Sequence, residues 1–479
     1  MLWHGFPGDL IVAHLPLMNS DIVQFSASAG LNVVILAAGD STRMQSDTPK
    51  VLHPLGGRPL IEYSLRLAEV LTQRLPVIVI GRSADAVRGQ LGGRARYVEQ
   101  RQRLGTGHAV AQARELLAGE SGAVAVFYAD MPLLTVETMR RLLHLHSAGV
   151  SVLSMLTFES STPRGFGRIV RAADGEVRAI VEEVDCTPEQ RLIRELNPGL
   201  YCFEADWLWQ NIDAIPVSPK GEYYMTDLVE IAVSQGHRVA AFKVDDATEM
   251  LGINTRVHLA EAEAVLRSRI NRRHMESGVT LIDPATTYID DGVTIGRDTV
   301  LFPATHLRGT TSIGQGCRIG PGSWVENTIV GDSCVVTYSV LEDATVESNV
   351  AIGPFAHLRR GAHLASGVHM GNFGEVKNSY LGPGVKMGHF SYLGDAQVGS
   401  EANIGAGTIT CNYDGSQKHR TEIGAGAFIG SDTMLVAPVQ VGEGARTGAG
   451  SVVTHDVPAG KIVVGVPARL HEFPRSDTE

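Results

Sequence analysis

The C-terminal third of the chain places an aliphatic residue at every sixth position. With 44% hydrophobic residues overall, one seven-position frame fills by chance with odds of about 0.3%. A period of six is typical of the hexapeptide parallel β-helix, in which each sixth residue points into the core of a coil. The frames are Ile289, Ile295, Leu301, Leu307, Ile313, Ile319 and Val325; Val340, Val346, Ile352, Leu358, Leu364, Met370 and Val376; Leu381, Met387 and Leu393; and Ile423, Ile429, Leu435, Val441, Thr447 and Val453.

Glycine follows many of these aliphatic positions. Tight corners often need a positive φ, which glycine adopts without strain, and we expect that role here. The residues concerned are Gly296, Gly314, Gly320, Gly353, Gly424, Gly430 and Gly442.

The N-terminal half alternates short apolar runs with helical spacing. Asn32–Ala37, Pro76–Ile80 and Ala125–Tyr128 are predicted strands, and the apolar spacing from Leu60 to Leu67 predicts a helix. This alternation indicates a doubly wound, Rossmann-like α/β domain. Leu259, Ala262, Leu266 and Ile270 then recur at helical spacing, as expected of a helical linker. The predicted division is an N-terminal extension at 1–30, an α/β domain at 31–256, a linker at 257–277 and a β-helix domain at 278–479.

Composition narrows the possible functions. The net charge of −11 argues against a general nucleic-acid binder. Five scattered cysteines without C-x-x-C spacing indicate free thiols in a reducing compartment and no zinc site. No run of 18 apolar residues is present, so no membrane span is expected. For residues 1–30 we expect a disordered extension or an over-long start with Met18 as initiator, and not a signal peptide or a functional arm.

Two cations follow the first predicted strand. The strand runs into the small-residue loop Ala38–Thr42, and backbone amides of such a loop can approach phosphates, although an ordinary turn is an equal alternative. Arg43 and Lys50 come next, and paired cations suit a triphosphate. Asp130 follows the strand ending at Tyr128, where a carboxylate is either a magnesium ligand or a helix cap ahead of Thr135.

Further polar groups follow later elements of this domain. Gly105–His108 opens a helix whose free backbone amides could bind a base or sugar. Gly167, Glu182 and Asn197 lie in or beside later strands and suit the recognition of sugar hydroxyls. Ordinary loops remain the alternative for all of these segments.

The β-helix carries chemistry where its repeat is interrupted. The polar insertion Cys411–Arg420 must project from the coil. Arg359 and Lys377 are 18 residues apart, so they should stack on one face as a phosphate-sized pair of cations. His389 has the side chain best suited to deprotonating an amine, although a surface or interface role is the commoner one for a lone histidine.

The motifs together resemble a known family over about Leu31 to Pro467. They are Leu36–Gly39, Thr42–Met44, Pro49–Lys50, Leu104–His108, Asp130–Pro132, Gly167–Arg168 and Gly252–Asn254. These motifs are similar to those of the sugar-1-phosphate nucleotidyltransferases. Within that group they resemble one family of bifunctional enzymes, which combine an N-acetylglucosamine-1-phosphate uridyltransferase with a glucosamine-1-phosphate N-acetyltransferase. The resemblance implies two consecutive steps of UDP-N-acetylglucosamine synthesis by a cytoplasmic homotrimer of left-handed β-helices. The product is a precursor of peptidoglycan and lipopolysaccharide.

The same resemblance implies the uridyltransferase residues. Arg43 and Lys50 would steady the triphosphate of UTP, and Asp130 and Asn254 would ligate Mg²⁺. Residues implied to bind UDP-N-acetylglucosamine are Leu36, Ala37, Ala38, Gly39, Lys50, Gln100, Gly105, Thr106, Tyr128, Asp130, Gly167, Glu182, Asn197 and Asn254.

For acetyl transfer the resemblance implies that His389 is the base and that the coenzyme site lies between neighbouring subunits. Glucosamine-1-phosphate would be bound by Arg359, Lys377, Tyr392 and Asn403. Acetyl-CoA would be bound by Ala406, Asn412, Tyr413, Ser431 and Ala449.

Several residues depart from the family pattern, and two alternatives to the two-site interpretation stay open. Asp40, Ser41, Arg103, Ala129 and Pro198 replace residues that are usual in the family. These changes are expected to slow uridylyl transfer more than to change its identity. The departures raise one alternative, an acetyltransferase with a decayed nucleotide site. The other alternative, which does not depend on these residues, is a single-activity nucleotidyltransferase whose β-helix serves only assembly.

Overall fold

The computed structural model describes residues 30–39, 42–82, 84–149 and 151–471, and these form two compact units. The sheet unit contains the described residues of 1–38, 66–128 and 135–247, and the coil unit contains those of 39–65, 129–134 and 248–479. The predictions for the extension before Gly30 and for Asp40 and Ser41 lie outside the described residues.

The N-terminal half contains short strands and the described α-helices. The strands are β1 (Leu31–Ala37), β2 (Pro54–Leu55), β3 (Arg58–Pro59), β4 (Val77–Ile80), β5 (Arg96–Glu99), β6 (Ala123–Tyr128), β7 (Leu153–Glu159), β8 (Gly167–Arg171), β9 (Val177–Val181), β10 (Glu195–Asn197), β11 (Tyr201–Glu204) and β12 (Val239–Lys243). The helices are α1 (Leu60–Leu71), α2 (Ala84–Leu91), α3 (Thr106–Gln112), α4 (Arg114–Leu117), α5 (Val136–Ala148), α6 (Ala205–Asn211), α7 (Asp227–Ser234) and α8 (Arg256–Glu276).

The sheet unit is built on one mixed sheet. Its strand order is β5-β4-β1-β6-β11-β7-β10-β8-β9, with β12 paired to β7. The first four strands are parallel, and β11 runs antiparallel to both β6 and β7. The side chains of β4, Val77 to Ile80, are all buried, as expected of a central parallel strand covered on both faces. The predicted α/β fold is confirmed.

The coil unit contains a three-sided parallel β-helix. The first face is formed by Thr280–Leu281, Val300–Leu301, Arg318–Ile319, Val335–Val336, Ala351–Ile352, His369–Met370, Lys386–Met387, Asn403–Ile404, Phe428–Ile429, Arg446–Thr447, Ile462–Val464 and Arg469–Leu470. The second is formed by Tyr288–Ile289, His306–Arg308, Trp324–Glu326, Val340–Glu342, His357–Leu358, Gly374–Lys377, Ser391–Gly394, Ile409–Cys411, Met434–Val436 and Val452–Val453. The third is formed by Thr294–Ile295, Ser312–Ile313, Ile329–Val330, Thr345–Val346, His363–Leu364, Tyr380–Leu381, Ala396–Val398, Thr421–Ile423 and Val439–Val441.

Nearly all of the predicted inward positions are buried in one continuous core. Ile295 is only partly buried, and the assignment of Val340 is wrong. Val340 is 38% exposed, and its neighbour Leu341 is fully buried. The error arose because the frame was extended at a constant spacing of six.

Some corners of the coil are one residue shorter than the hexad. The inward residues Val325, Val330, Val336, Leu341 and Val346 include spacings of five. The shorter corners contain a left-handed residue two positions after the inward aliphatic: Asn327, Tyr338, Asp343, Asn378 and Asp395, with φ between 44° and 53°. Asn and Asp tolerate this conformation better than other side chains, which explains their frequency at these corners.

The expected role of the corner glycines is right for Gly320 and Gly353 and wrong for the other five. Only those two of the seven have positive φ. At the others, an added Cβ would meet the next coil; at Gly424 it would lie 2.4 Å from the backbone nitrogen of Glu443. The requirement at these sites is close packing of stacked coils.

The shifted register predicts different stability effects for two adjacent substitutions. Leu341→Ala should lower the free energy of unfolding by about 2–5 kcal/mol, because it leaves a cavity in a packed core. Val340→Ala should change it by about 0.5 kcal/mol, since the side chain is partly exposed. Urea denaturation of both variants checks this, and equal effects would contradict the register.

Helix α8 packs against the β-helix core, so it is part of the folded unit and not only a connecting segment. Its predicted apolar stripe, Ala262, Leu266 and Ile270, is buried in the same cluster as the first coil residues Leu281 and Ile289.

The described residues also bear on the membrane and cysteine predictions. No helix among them is long and apolar enough to cross a bilayer. All five cysteines are free thiols.

Candidate active sites

Four predicted phosphate and metal residues converge in the coil unit. The ammonium of Lys50 bonds the Asp130 carboxylate and donates to Asn254 Oδ1 at 3.1 Å. Arg43 Nη2 donates to the same Asn254 oxygen at 3.0 Å. Lys50 is 80 residues from Asp130 and 204 from Asn254 along the chain. The fold therefore assembles a compact group of two cationic side chains and two side chains that present oxygen atoms to them.

Short backbone features position these groups. Lys50 begins a 3₁₀ turn after Pro49, and its side chain is almost completely buried. The Asp130 carbonyl accepts a hydrogen bond from Ile253 N at 2.9 Å, which places Asn254 next to the carboxylate segment. The helix-cap alternative for Asp130 is wrong, because Thr135 caps α5 by accepting from Thr138 N.

A second group of predicted residues lies in the sheet unit around the start of α3. Gln100 is buried, and its Nε2 donates to the Gly105 carbonyl at 2.9 Å. Gly105 has φ +96°, and an added Cβ would lie 2.5 Å from the Tyr223 carbonyl oxygen, so only glycine fits. The Thr106 hydroxyl accepts from Met225 N at 3.1 Å. Leu36 and Ala37 are the last residues of β1, which pairs with β4 and β6, and Ala38 follows directly.

The expectation of free amides at the start of α3 is wrong for Gly107. Its N–H donates to the Tyr223 carbonyl at 2.8 Å. The segment around Tyr223 therefore occupies part of the helix terminus.

The residues predicted to bind the sugar form a third group, also in the sheet unit. Asn197 lies opposite Gly167 in the β10–β8 ladder, and its Nδ2 donates to Tyr201 Oη at 2.8 Å. A Cβ on Gly199 would lie 2.6 Å from the ring of Tyr128, so this ring packs against the Asn197–Gly199 turn. Burial raises the pKa of Tyr201, and the proximity of Tyr128 raises it further.

Glu182, the remaining residue predicted to bind the sugar, lies among other acidic side chains. It accepts from the Thr226 hydroxyl at 3.1 Å, and burial raises its pKa. Burial also raises the pKa of Asp227 to about 6, with further contributions from Glu230, Glu182 and Asp185. This electronegative region favours hydroxyl donors and disfavours phosphates.

Five predicted acetyl-transfer residues line one groove of about 570 Å³ on the β-helix: His389, Asn403, Ala406, Ser431 and Ala449. Four of them occupy equivalent places on successive coils, each two residues after an inward residue of the first face. His389 follows Met387 in this way, and Ala406 follows Ile404. Within the described chain, no hydrogen bond engages the exposed imidazole of His389.

The other predicted acetyl-transfer residues lie elsewhere, in or beside the second face. Arg359 follows its strand His357–Leu358, and its backbone N–H donates to the Val376 carbonyl at 2.9 Å. Arg359 and Lys377 are therefore in register, as predicted. The guanidinium of Arg359, however, pairs with Glu375 at 2.8 Å. Tyr392 lies opposite Glu375 in the ladder.

The polar insertion begins beside this second group. Asn412 is buried and bonds Asp395 through its Nδ2, whereas Tyr413 is 61% exposed. The predicted insertion begins at the last residue of the strand Ile409–Cys411 and ends before the strand Thr421–Ile423. Most of its side chains are exposed, as predicted for a projecting loop.

The sequence analysis did not identify several residues that line the groove or pair with the predicted site residues. Lys386 and Phe428 line the groove beside His389, and Glu375 neutralises Arg359. Counting outward positions from the buried aliphatics would have found Lys386, since it pairs with Asn403 in the first face. No comparable signal identifies Glu375.

Family models match both halves of the chain. A MobA-like NTP transferase domain matches residues 33–185, and a bacterial transferase hexapeptide of six repeats matches 420–455. A hexapeptide repeat of succinyl-transferase matches 310–337. The three parallel faces with these repeats are consistent with the predicted left-handed β-helix.

Curated relatives are similar to the chain over nearly its whole length. Bifunctional protein GlmU from Heliobacterium modesticaldum is 48% identical over 90% of this chain and 94% of its own. The protein of the same name from Pelobacter propionicus is 46% identical over 90% and 95%, and that from Geobacillus sp. strain WCH70 is 45% identical over 90% and 94%. The chain therefore belongs to the bifunctional GlmU family, and it is a bifunctional transferase with a nucleotidyltransferase region and a hexapeptide-repeat acetyltransferase region.

Proposed function

We propose that the chain catalyses two consecutive steps of UDP-N-acetylglucosamine synthesis at two separate sites. Glucosamine-1-phosphate first takes an acetyl group from acetyl-CoA. The phosphate of N-acetylglucosamine-1-phosphate then attacks the α-phosphorus of UTP and releases pyrophosphate. The observation that carries this proposal is the assembly of two polar sites of different chemistry, one around Lys50 and one around His389. Residues 31–256 are assigned to uridylyl transfer, 278–479 to acetyl transfer and 257–277 to the join.

The cations of the first site neutralise the triphosphate. Lys50 and Arg43 lie within 3.1 Å of one amide oxygen, so both can bind oxygens of the same polyphosphate as charge develops there. Leu36 to Gly39, Gln100, Gly105 and Thr106 are assigned to uridine and phosphate. Tyr128, Gly167, Glu182 and Asn197 are assigned to the sugar, whose hydroxyls suit the acidic surroundings of Glu182.

The donor set of Asp130 and Asn254 fits Mg²⁺. A carboxylate and an amide oxygen both bond the Lys50 ammonium, so they face one cationic position. Mg²⁺ prefers hard oxygen ligands and usually keeps few protein ligands beside phosphates and water. When bound, the ion would neutralise phosphate charge during in-line transfer. Lys50 would then turn from these oxygens toward the phosphates.

His389 is assigned as the base for acetyl transfer. Its exposed imidazole borders the groove of Ala406, Ser431 and Ala449, which suits a coenzyme lying across successive coils. Taking the proton from the attacking amine is a step that imidazole performs near neutral pH. Arg359, Lys377 and Tyr392, with Asn403, are assigned to glucosamine-1-phosphate, and Asn412 and Tyr413 to acetyl-CoA.

A homotrimer explains why these acetyl-transfer residues occur in two groups. The His389 groove follows the first face of the coil, whereas Arg359, Lys377, Tyr392 and Asn412 follow the second. Neighbouring copies could bring the groove of one subunit to the second group of another. The free thiols are consistent with a cytoplasmic, reducing location.

An assay of pyrophosphate release tests the proposed uridyltransferase activity. Purified chain with UTP, N-acetylglucosamine-1-phosphate and Mg²⁺ should release pyrophosphate, and removing Mg²⁺ with chelator should stop it. A folded chain that transfers acetyl but releases none would favour the alternative of a decayed nucleotide site.

A further inference from the structure

Helix α8 holds three separate chain segments by hydrogen bonds to their main chains. Arg256 Nε donates to the Met44 carbonyl at 3.3 Å. Glu263 Oε2 accepts from Gly56 N at 2.9 Å. Arg269 Nη1 donates to the Leu133 carbonyl at 2.6 Å. Contacts to main-chain groups fix the path of a segment regardless of its side chains.

Each of these segments carries a charged group of the phosphate site. Met44 follows Arg43, and Leu133 comes three residues after Asp130. Gly56 lies in the β2–β3 turn, which is linked to Lys50 because His53 N donates to the Lys50 carbonyl at 3.2 Å and Leu60 N donates to the His53 carbonyl. Asn254 itself lies two residues before the first residue of α8.

The β2–β3 turn is also fastened to the first coil. Arg58 Nε pairs with Asp291 Oδ2 at 2.8 Å, and Asp291 N donates to the Gly56 carbonyl at 2.9 Å. A Cβ on Gly57 would lie 2.4 Å from Asp290 Oδ2, so the turn sits directly on this coil. The turn therefore has partners on both α8 and the β-helix.

We propose that α8 is a positioning scaffold for uridylyl transfer. Glu263 and Arg269 are positioning residues that fix the main-chain segments bearing Lys50 and Asp130 in the arrangement needed for catalysis. This inference rests on the proposed uridyltransferase function. A linker needs only the apolar stripe of α8, whereas Glu263 and Arg269 reach main-chain groups beside the site. Displacement of a catalytic group by about 1 Å can cost 10²-fold in rate, so small losses of alignment are measurable.

Paired substitutions at Glu263 test the scaffold. Glu263→Ala removes the acceptor for Gly56 N, whereas Glu263→Gln keeps a carbonyl oxygen there. We expect kcat for uridylyl transfer to fall about 10-fold in Glu263→Ala, with the KM for N-acetylglucosamine-1-phosphate unchanged. Glu263→Gln should restore it to within about twofold. Arg269→Ala should act like Glu263→Ala.

Two controls make the result specific. Arg272→Ala removes an exposed cation from the same helix and should leave both activities unchanged. Acetyl transfer measured on each variant reports whether the chain is intact. A uridylyl rate unchanged in both Glu263→Ala and Arg269→Ala, or a parallel loss of both activities, would overturn the proposal.

Calorimetric binding of UTP with Mg²⁺ separates this proposal from the proposed function. The affinity of Glu263→Ala should fall several-fold and that of Glu263→Gln should not. A wild-type chain that binds UTP but transfers no uridylyl group would refute the function, and the affinity pattern would still decide the scaffold. Equal UTP affinities in all variants would refute the scaffold.

Discussion

His389→Ala should lower the rate of acetyl transfer about 10³-fold and leave uridylyl transfer unchanged. The size follows from the usual contribution of a general base, and the selectivity follows because the groove around His389 contains none of the Lys50 group. Release of coenzyme A from acetyl-CoA with glucosamine-1-phosphate, and of pyrophosphate from UTP, measures the two activities on one preparation.

His369→Ala is the matched control for His389. His369 is another exposed histidine on the first face, in the strand that pairs with Lys386–Met387. It should keep both activities. Equal loss of both activities in His389→Ala would contradict the two-site account and indicate a structural effect.

Lys50→Ala should produce the opposite pattern, with kcat/KM for uridylyl transfer about 10²–10³-fold lower and acetyl transfer intact. The loss is that of one preorganised cation at a phosphate whose charge rises in the transition state. The substitution also leaves Asp130 and Asn254 without their shared ammonium, so less stable binding of the triphosphate should accompany the lower rate.

Arg101→Ala controls for the loss of positive charge in this half of the chain. Its side chain is 89% exposed, and its carboxylate partner is 4.0 Å away, so uridylyl transfer should be unaffected. Uridylyl transfer that survives Lys50→Ala would remove Lys50 from the mechanism.

The coil could be predicted from sequence because a buried aliphatic marks each short strand. Spacing failed at Val340 because corners of five residues depend on single left-handed residues such as Tyr338 and Asp343. The glycines were located correctly, but five of them are needed because an added Cβ would meet the next coil, most closely at residues 17 to 19 positions further along the chain. A local pattern does not contain that contact.

The sites were harder to predict from local pattern. The strand ends placed Lys50 and Asp130 near one polyphosphate site, but Asn254 joined them only through the family resemblance, since 204 residues separate it from Lys50. The bond from Gly107 N to the Tyr223 carbonyl, and that from Gly56 N to Glu263, likewise depend on tertiary contacts. An apolar stripe identified α8, but its polar contacts to the main chain were not visible in the sequence.

Mixing the two inactive variants tests the central claim of two independent sites most directly. His389→Ala alone and Lys50→Ala alone should each fail to convert glucosamine-1-phosphate, acetyl-CoA and UTP into UDP-N-acetylglucosamine. An equimolar mixture should form the product, because Lys50→Ala acetylates the sugar phosphate and His389→Ala then uridylylates it. A mixture that forms no product, with both proteins folded, would contradict the account.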